Sequence, residues 1–241
     1  MKRVLDVIVS ATALVLLLPV LLVVALVVWG QDFRSPIYLG CRVGRGGRPF
    51  KMVKFRSMAV GADRTGVLST AATDNRITSV GRFLRAYKLD ELTQLVNVLT
   101  GDMSLVGPRP QVRREVEIYT DVECDLLKVK PGITDLSSIV FSDEGDILKD
   151  KADPDLAYNQ LIRPWKSRLG LLYVEKRSLL LDFKLIFLTT VALVSRKKAL
   201  QGVQRVLERL GADGQIKRVA LRNEKLIPFP PPGATEIVTQ R

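Results

Sequence analysis

Residues 7–29 read VIVSATALVLLLPVLLVVALVVW, 23 positions without a charge. As one helix they reach about 35 Å, enough to cross a hydrocarbon core of roughly 30 Å. The plainest expectation is therefore a spanning anchor. A cleaved signal peptide fits less well, because the apolar part is too long and no small-residue cleavage pattern follows it. Two features work against a simple span. Pro19 sits near the middle, where it removes a backbone hydrogen bond and crowds the preceding turn. Both flanks are also basic: Lys2 and Arg3 come before the run, while Arg34, Arg42, Arg45, Arg48, Lys51, Lys54 and Arg56 follow it against the single acid Asp32. Cytoplasmic flanks are the ones rich in Lys and Arg. Two such flanks would make the segment a re-entrant helix-break-helix with its break at Pro19. Residue pattern alone leaves span and hairpin both open.

The rest of the 241 residues suffices for one substantial domain. Charge narrows its partners: 37 Lys and Arg against 25 Asp and Glu leave a net +12, which points to phosphates on a nucleotide, a lipid headgroup or a nucleic acid. The chain has no histidine, so histidine general bases, Ser-His-Asp triads and Cys/His zinc sites are excluded. Cys41 and Cys124 stand far apart in no ligand spacing, so a disulfide framework is not expected and a reducing compartment is.

Residues 36–58 alternate apolar side chains around Gly44-Arg45-Gly46-Gly47 and predict a β-hairpin, the one clear sheet element expected. From Ser79, Val80, Phe83, Leu84 and Tyr87 keep helical spacing with Arg82, Arg85 and Lys88 between them, giving a basic amphipathic helix. Leu92, Leu95, Val96 and Leu99 predict a second helix that stops at Gly101, and residues 112–127 a third before the KPGIT turn. LLLDFKLIFLTTVALV, residues 179–194, is too short to span comfortably and is expected as a buried or interfacial helix. After Lys225, LIPFPPPGATEIVTQR is expected to be extended or disordered. The fold class is α+β, mainly helical, with a membrane hairpin at 1–30, a catalytic-size domain at 31–200 and a C-terminal extension at 201–241.

Asp90 and Glu91 are adjacent in KLDELTQL. Two acids opening a helix are ordinarily caps, complementing the positive end of its dipole. The same place holds a carboxylate charged at a natural phosphate site. Chemistry on phosphates needs a nucleophile, a divalent cation and basic groups to balance developing charge. Asp90 can serve as nucleophile and Glu91 as metal ligand, with Lys54, Arg56, Arg82, Arg85 and Arg109 as basic groups. In GPRP, Pro108 and Pro110 restrict the backbone on either side of Arg109 and fix its guanidinium.

Taken together, the apolar run interrupted by proline, VGRGGRPFKMVKFRSM, VGRFLRAYKLDELTQLVNVLTGDMSLVGPRP, KPGITDLSSI and YVEKRSLLLDFKLIFLTT resemble the bacterial sugar transferases, the monotopic phosphoglycosyl transferases, over residues 1 to about 197. The resemblance implies transfer of a sugar 1-phosphate from a UDP-sugar to polyprenyl phosphate with release of UMP, an early membrane step of surface glycan assembly. It implies the re-entrant form of the N-terminal helix, a bacterial inner membrane location with the catalytic domain facing the cytoplasm, and anionic lipid rather than nucleic acid as the basic surface's partner. It further implies a ping-pong route in which Asp90 forms an acyl-phosphate, magnesium held by Glu91 with Asp90 beside it, and phosphate or nucleotide contacts from Lys54, Arg56, Arg85 and Arg109. Homodimerisation, the sugar and the pathway stay open. The chain departs from many relatives in PGITDLSSIVFSDEGDIL and at Gly170, which leaves the sugar-binding determinants undefined. It looks like a minimal form without further N-terminal spans. The competing reading is a single-span anchor presenting a basic binding domain, which accounts for +12 but not for the acid pair beside a proline-fixed arginine. A phosphatase using Asp90 is a third.

Overall fold

The computed structural model describes residues 1–239; residues 240–241, the end of the proline-rich tail, and the side chains of Arg64 and Thr65 lie outside the description. Numbering the α-helices of six or more residues, the order is α1 (Lys2–Gly30), β1 (Ile37–Val43), β2 (Pro49–Phe55), α2 (Ser79–Ala86), α3 (Leu95–Thr100), β3 (Ser104–Val106), β4 (Gly132–Thr134), α4 (Arg163–Lys176), α5 (Leu179–Val194), α6 (Arg196–Arg209) and α7 (Gly214–Leu221). Shorter helical turns fill the connections.

The hairpin follows from its turn. Gly46 and Gly47 take positive φ of 68° and 77°, open only to residues without a Cβ penalty, and this closes β1 onto β2 with Ile37 opposite Phe55 and Val43 opposite Pro49. A second sheet corrects the expectation of one: β3 and β4 pair in parallel, Ser104 opposite Gly132 and Val106 opposite Thr134. Each strand has three residues, too short for a legible alternation. Gly107 and Gly132 let the two backbones approach so closely that a Cβ on Gly132 would lie 2.1 Å from the Gly107 nitrogen.

The helix expected over 112–127 does not form. One turn, Arg113–Val116, is followed by a second start at Thr120, whose hydroxyl accepts from Glu123 N at 3.1 Å while the Glu123 carboxylate accepts from Thr120 N at 3.1 Å. This is a reciprocal Thr-x-x-Glu box, and it opens a new 3-10 turn over Glu123–Lys128. The Thr120–Glu123 spacing is present in the sequence, and it outweighs the weak apolar periodicity.

α1 runs as one helical element through Pro19, so the break expected there is not found: the proline removes one backbone hydrogen bond without ending the helix. One stripe of it lies on the body from end to end: Asp6, Val9, Ser10, Ala13, Leu14 and Leu17 in its first part, Leu21, Val24, Ala25 and Val28 in its second. The spacing of three and four residues is that of a single helix face. The opposite face is bare, with Val15 and Leu16 more than 70% exposed. Both ends are fastened. Lys2 Nζ reaches Asp182 Oδ2 at 2.5 Å and Val106 O at 3.1 Å, and Arg3 donates to Leu99 O at 2.7 Å and to Val98 O, where free carbonyls end α3. Asp6 accepts from Ser104 Oγ at 2.9 Å and Leu105 N at 3.1 Å. Past the far end, Asp32 takes both Nη1 and Nη2 of Arg56 at 2.6 Å.

α5 occupies the expected 179–194. Leu181, Asp182, Leu185 and Leu188 face the core, while Leu180, Phe183, Phe187, Leu193 and Val194 are exposed. The main core gathers α3, α4, α5 and α6 around Leu136, Ile139 and Val140, and α7 closes over it. The C-terminal tail is extended, as its prolines dictate, but the expected disorder is not found in its described part. Phe229 stacks on Trp165 with ring centroids 4.6 Å apart, and Arg168 lies over both rings. Backbone groups of the tail pair with Gln160, Thr120 and Arg168. Four prolines leave little chain entropy to lose on docking, so one aromatic anchor and a few hydrogen bonds suffice.

Candidate functional site

The acid pair sits on a tight 3-10 turn, Leu89–Gln94, that leads into α3. The preceding residue Lys88 has a left-handed φ of 56°, which breaks α2 from the turn and swings Asp90 and Glu91 against β2. The helix expected from Leu92 therefore begins as this turn, continues as α3 and ends where expected, at Gly101 with φ 95°.

Glu91 is the better tethered of the two acids. Its Oε1 accepts from Lys54 Nζ at 3.1 Å and from Arg109 Nη2, and its Oε2 accepts from Arg109 Nη1 at 3.1 Å, a two-pronged guanidinium grip. Burial alone would push its carboxyl up, but Arg109 and Lys54 outweigh that and hold it well below the usual carboxylate range. The same contact raises Arg109 above its ordinary value, and burial lowers the Lys54 ammonium despite the opposing pull of Glu91.

Asp90 is only 4% exposed. Among the described residues its carboxylate receives no side-chain hydrogen bond or ion pair. Burial raises its pKa, Lys54 acts to lower it, Glu91 adds to the rise, and Arg85 and Arg109 pull the other way. Two neighbouring carboxyl groups are thus pushed in opposite directions, one committed to cations and one left free to react. Arg85, itself lowered by burial, is held by its Nε on Ser57 Oγ at 2.9 Å and still feels the charge of Asp90.

The structure brings together Asp90, Glu91, Lys54, Arg85 and Arg109. Arg56 is engaged elsewhere: besides Asp32, its Nε donates to Ser35 O at 2.8 Å. It thereby ties the end of α1 to the β2 terminus, and holds the Asp32 carboxyl below its ordinary pKa. Arg82, on the exposed face of α2, does not join the cluster.

Among the described residues no group of three or more His, Cys, Asp and Glu stands together as a metal cage. Adjacent carboxylates are an oxygen-only donor set of the kind that shares magnesium with a substrate's phosphates, and Asp90 and Glu91 fit that mode rather than a cage. The charge around them, with Lys54, Arg85, Lys88 and Arg109 acting on two acids, suits a polyanionic ligand.

Beside this cluster, Arg109 also lines a cleft walled by the 111–126 segment and α4. One wall is held by Glu123, fully buried, which accepts from Arg163 Nε at 3.1 Å and Ser167 Oγ at 2.6 Å. Sequence reasoning missed this wall and the residues it carries, Glu115 among them. The Thr-x-x-Glu spacing was the available signal.

With this geometry, residues 1–196 match the bacterial sugar transferase family. A UDP-glucose:undecaprenyl-phosphate glucose-1-phosphate transferase of Klebsiella pneumoniae is 41% identical over 192 residues, covering 78% of this chain and 39% of that protein. One of the same name from Caulobacter vibrioides is 36% identical over 172 residues, 68% of this chain and 64% of the relative. A UDP-N-acetylgalactosamine-undecaprenyl-phosphate N-acetylgalactosaminephosphotransferase of Aeromonas hydrophila is 34% identical over 170 residues, 68% of this chain and 40% of the relative. The chain thus spans from about two fifths to about two thirds of the length of these relatives. Family match and relatives agree, and the chain belongs to the bacterial sugar transferase family.

Proposed function

We propose that this chain transfers a sugar 1-phosphate from a UDP-sugar to undecaprenyl phosphate, releasing UMP, in two steps through Asp90. In the first, an Asp90 carboxylate oxygen attacks the sugar-bearing phosphorus. The bond from that phosphorus to the bridging oxygen breaks, and UMP leaves with the oxygen. In the second, a lipid phosphate oxygen attacks the same phosphorus, the acyl-phosphate bond breaks, and Asp90 is restored as a carboxylate. Two half-reactions let one small site serve a soluble donor and a lipid acceptor in turn. The observation that carries this reading is the contrast within the acid pair: Glu91 is gripped by two cations, while buried Asp90 has no side-chain hydrogen bond or ion pair among the described residues.

Lys54, Arg85 and Arg109 are suited to bind the diphosphate and balance charge on the transferred group. Magnesium, when bound, would neutralise the diphosphate further, held by Glu91 with Asp90 beside it. The names of the relatives support the substrate classes and fit a role in surface glycan assembly.

Attachment of α1 to one face of the membrane is supported by the docking of both its ends on one body, the helix itself running unbroken through Pro19. Ion pairs of Lys2 with Asp182 and of Asp32 with Arg56, at the two ends of the helix, favour both ends lying on one side of a bilayer. The bare faces of α1 and α5, with basic flanks around them, fit burial in one leaflet of the bacterial inner membrane among anionic headgroups, with the remainder facing the cytoplasm. The single-span binding protein gains no support from this arrangement.

The test is incubation of the purified protein with a panel of UDP-sugars, undecaprenyl phosphate and magnesium, scoring UMP. The reading expects UMP and lipid-linked sugar diphosphate with at least one donor. Release of inorganic phosphate instead would favour a phosphatase, and turnover undiminished in Asp90→Asn would overturn the covalent route.

A further inference from the structure

The cleft beside the acid pair, which Arg109 also lines, carries many polar side chains, and most of their polar groups are already satisfied. Asp135 accepts from Ser137 Oγ at 2.9 and 2.8 Å and from Ser138 N at 2.7 Å. Gln111 Nε2 donates to the Tyr158 hydroxyl at 3.1 Å. Lys166 is paired with Glu144 and stands 5.3 Å over the Tyr158 ring. Glu115 differs: it lines the cleft half-buried, and among the described residues its side chain has no hydrogen bond and no ion pair. Burial raises its carboxyl to about 7. The Tyr158 hydroxyl, which accepts from Gln111, still has its own proton to give.

A carboxylate half removed from water without a donor is unfavourable unless a ligand supplies one. The ligand must carry hydrogen-bond donors and must extend from a phosphate held at Arg109. A hexose 1-phosphate has both features, a ring of donor hydroxyls joined directly to the phosphate. The uridine half fits less well, since its ribose offers two hydroxyls against the four of a hexose and its uracil ring offers one N–H flanked by two carbonyl oxygens. We infer that this cleft holds the hexose of the donor, with Glu115 accepting from sugar hydroxyls and Tyr158 donating to one. Glu115 is then a specificity-determining residue. The inference rests on the transferase reading above.

The experiment compares the chain with Glu115→Gln and Tyr158→Phe at about pH 8, where Glu115 is ionised. The substrates are the preferred UDP-hexose and its 2-, 3-, 4- and 6-deoxy analogues, with kcat/KM read from UMP release and product inhibition by UMP measured alongside. A site built to bond a hydroxyl strongly rejects the analogue that lacks it. The unmodified chain should therefore lose about ten-fold or more on deoxygenation at one position. In Glu115→Gln the parent donor should fall by a similar factor, the same deoxygenation should cost less than about three-fold, and inhibition by UMP should be unchanged. Should Glu115→Gln not fold, Tyr158→Phe carries the same prediction at its own hydroxyl. Equal sensitivity to every deoxygenation in variant and unmodified chain would overturn the inference. So would weakened UMP inhibition with the donor ranking intact, which would put the nucleoside in the cleft. If the unmodified chain turns over and only the variant result fails, the transferase reading stands and this inference falls; if no UDP-sugar yields UMP, the transferase reading itself falls.

Discussion

Asp90 and Glu91 are chemically similar and one residue apart, yet their surroundings separate them. Burial acts on both; what differs is that Arg109 and Lys54 hold Glu91 directly and reach Asp90 only through space. A nucleophilic carboxylate must be ionised, so activity should fall as pH drops through the Asp90 pKa, which lies above the ordinary aspartate value. Lys54 acts to lower that pKa and Glu91 to raise it. Lys54→Met should therefore move the acid limb of kcat/KM to higher pH, and Glu91→Gln should move the limb of its residual activity to lower pH; limbs that stay fixed in both would mean that another group titrates. Asp90→Asn should lose at least about 10³-fold in UMP release with thermal unfolding unchanged within a few degrees. Arg109→Lys, which keeps the charge but not the fork, should lower kcat/KM by about 10²-fold. The acid pair and the proline-fixed arginine were legible because adjacency and Pro-Arg-Pro are local patterns. The commitment of Arg56 to Asp32 and the lone position of Glu115 were not, because each depends on what a segment some twenty or more residues away brings alongside.

At the scale of elements, α1 behaves as part of the body rather than as a tether to it. Lys2 and Arg3, read from sequence as a topological signal, also make specific bonds to Asp182, Val106 and the end of α3. Removing Lys2 leaves Asp182, 4% exposed at its side chain, with Tyr173 as its remaining bonded partner at 2.7 Å. Lys2→Met should lower stability in detergent by about 1–2 kcal/mol, since Lys2 itself is partly exposed. A tag fused at the N-terminus should be protected from protease added outside spheroplasts and cleaved in inverted vesicles; the opposite pattern would mean a span. The hairpin and α2 were legible because their period and turn residues agree. The 112–127 segment was not, because a side-chain box at Thr120 and Glu123 divides it into two short turns.

Across the whole molecule, the exposed apolar residues of α1 and α5 leave a large surface that water does not suit, on a chain whose net charge is +12. The C-terminal extension lies beyond the family match at residue 196 and still packs into the core through α6 and α7. Its tail clasps α4 through Phe229, so Phe229→Ala should reduce stability by about 1–3 kcal/mol, read as a shift in thermal unfolding. Composition reveals that this tail is extended, while its docking depends on a ring that only the folded α4 presents.

The central claim is that Asp90 carries the phosphosugar between donor and acceptor. Incubating the protein with a UDP-sugar it uses and no lipid acceptor, then digesting it and reading peptide masses, tests this most directly. One sugar-phosphate per chain on the peptide containing Asp90, with an equal amount of UMP released, is the predicted result. An adduct on another side chain, or none while the same preparation turns over once acceptor is added, would contradict it.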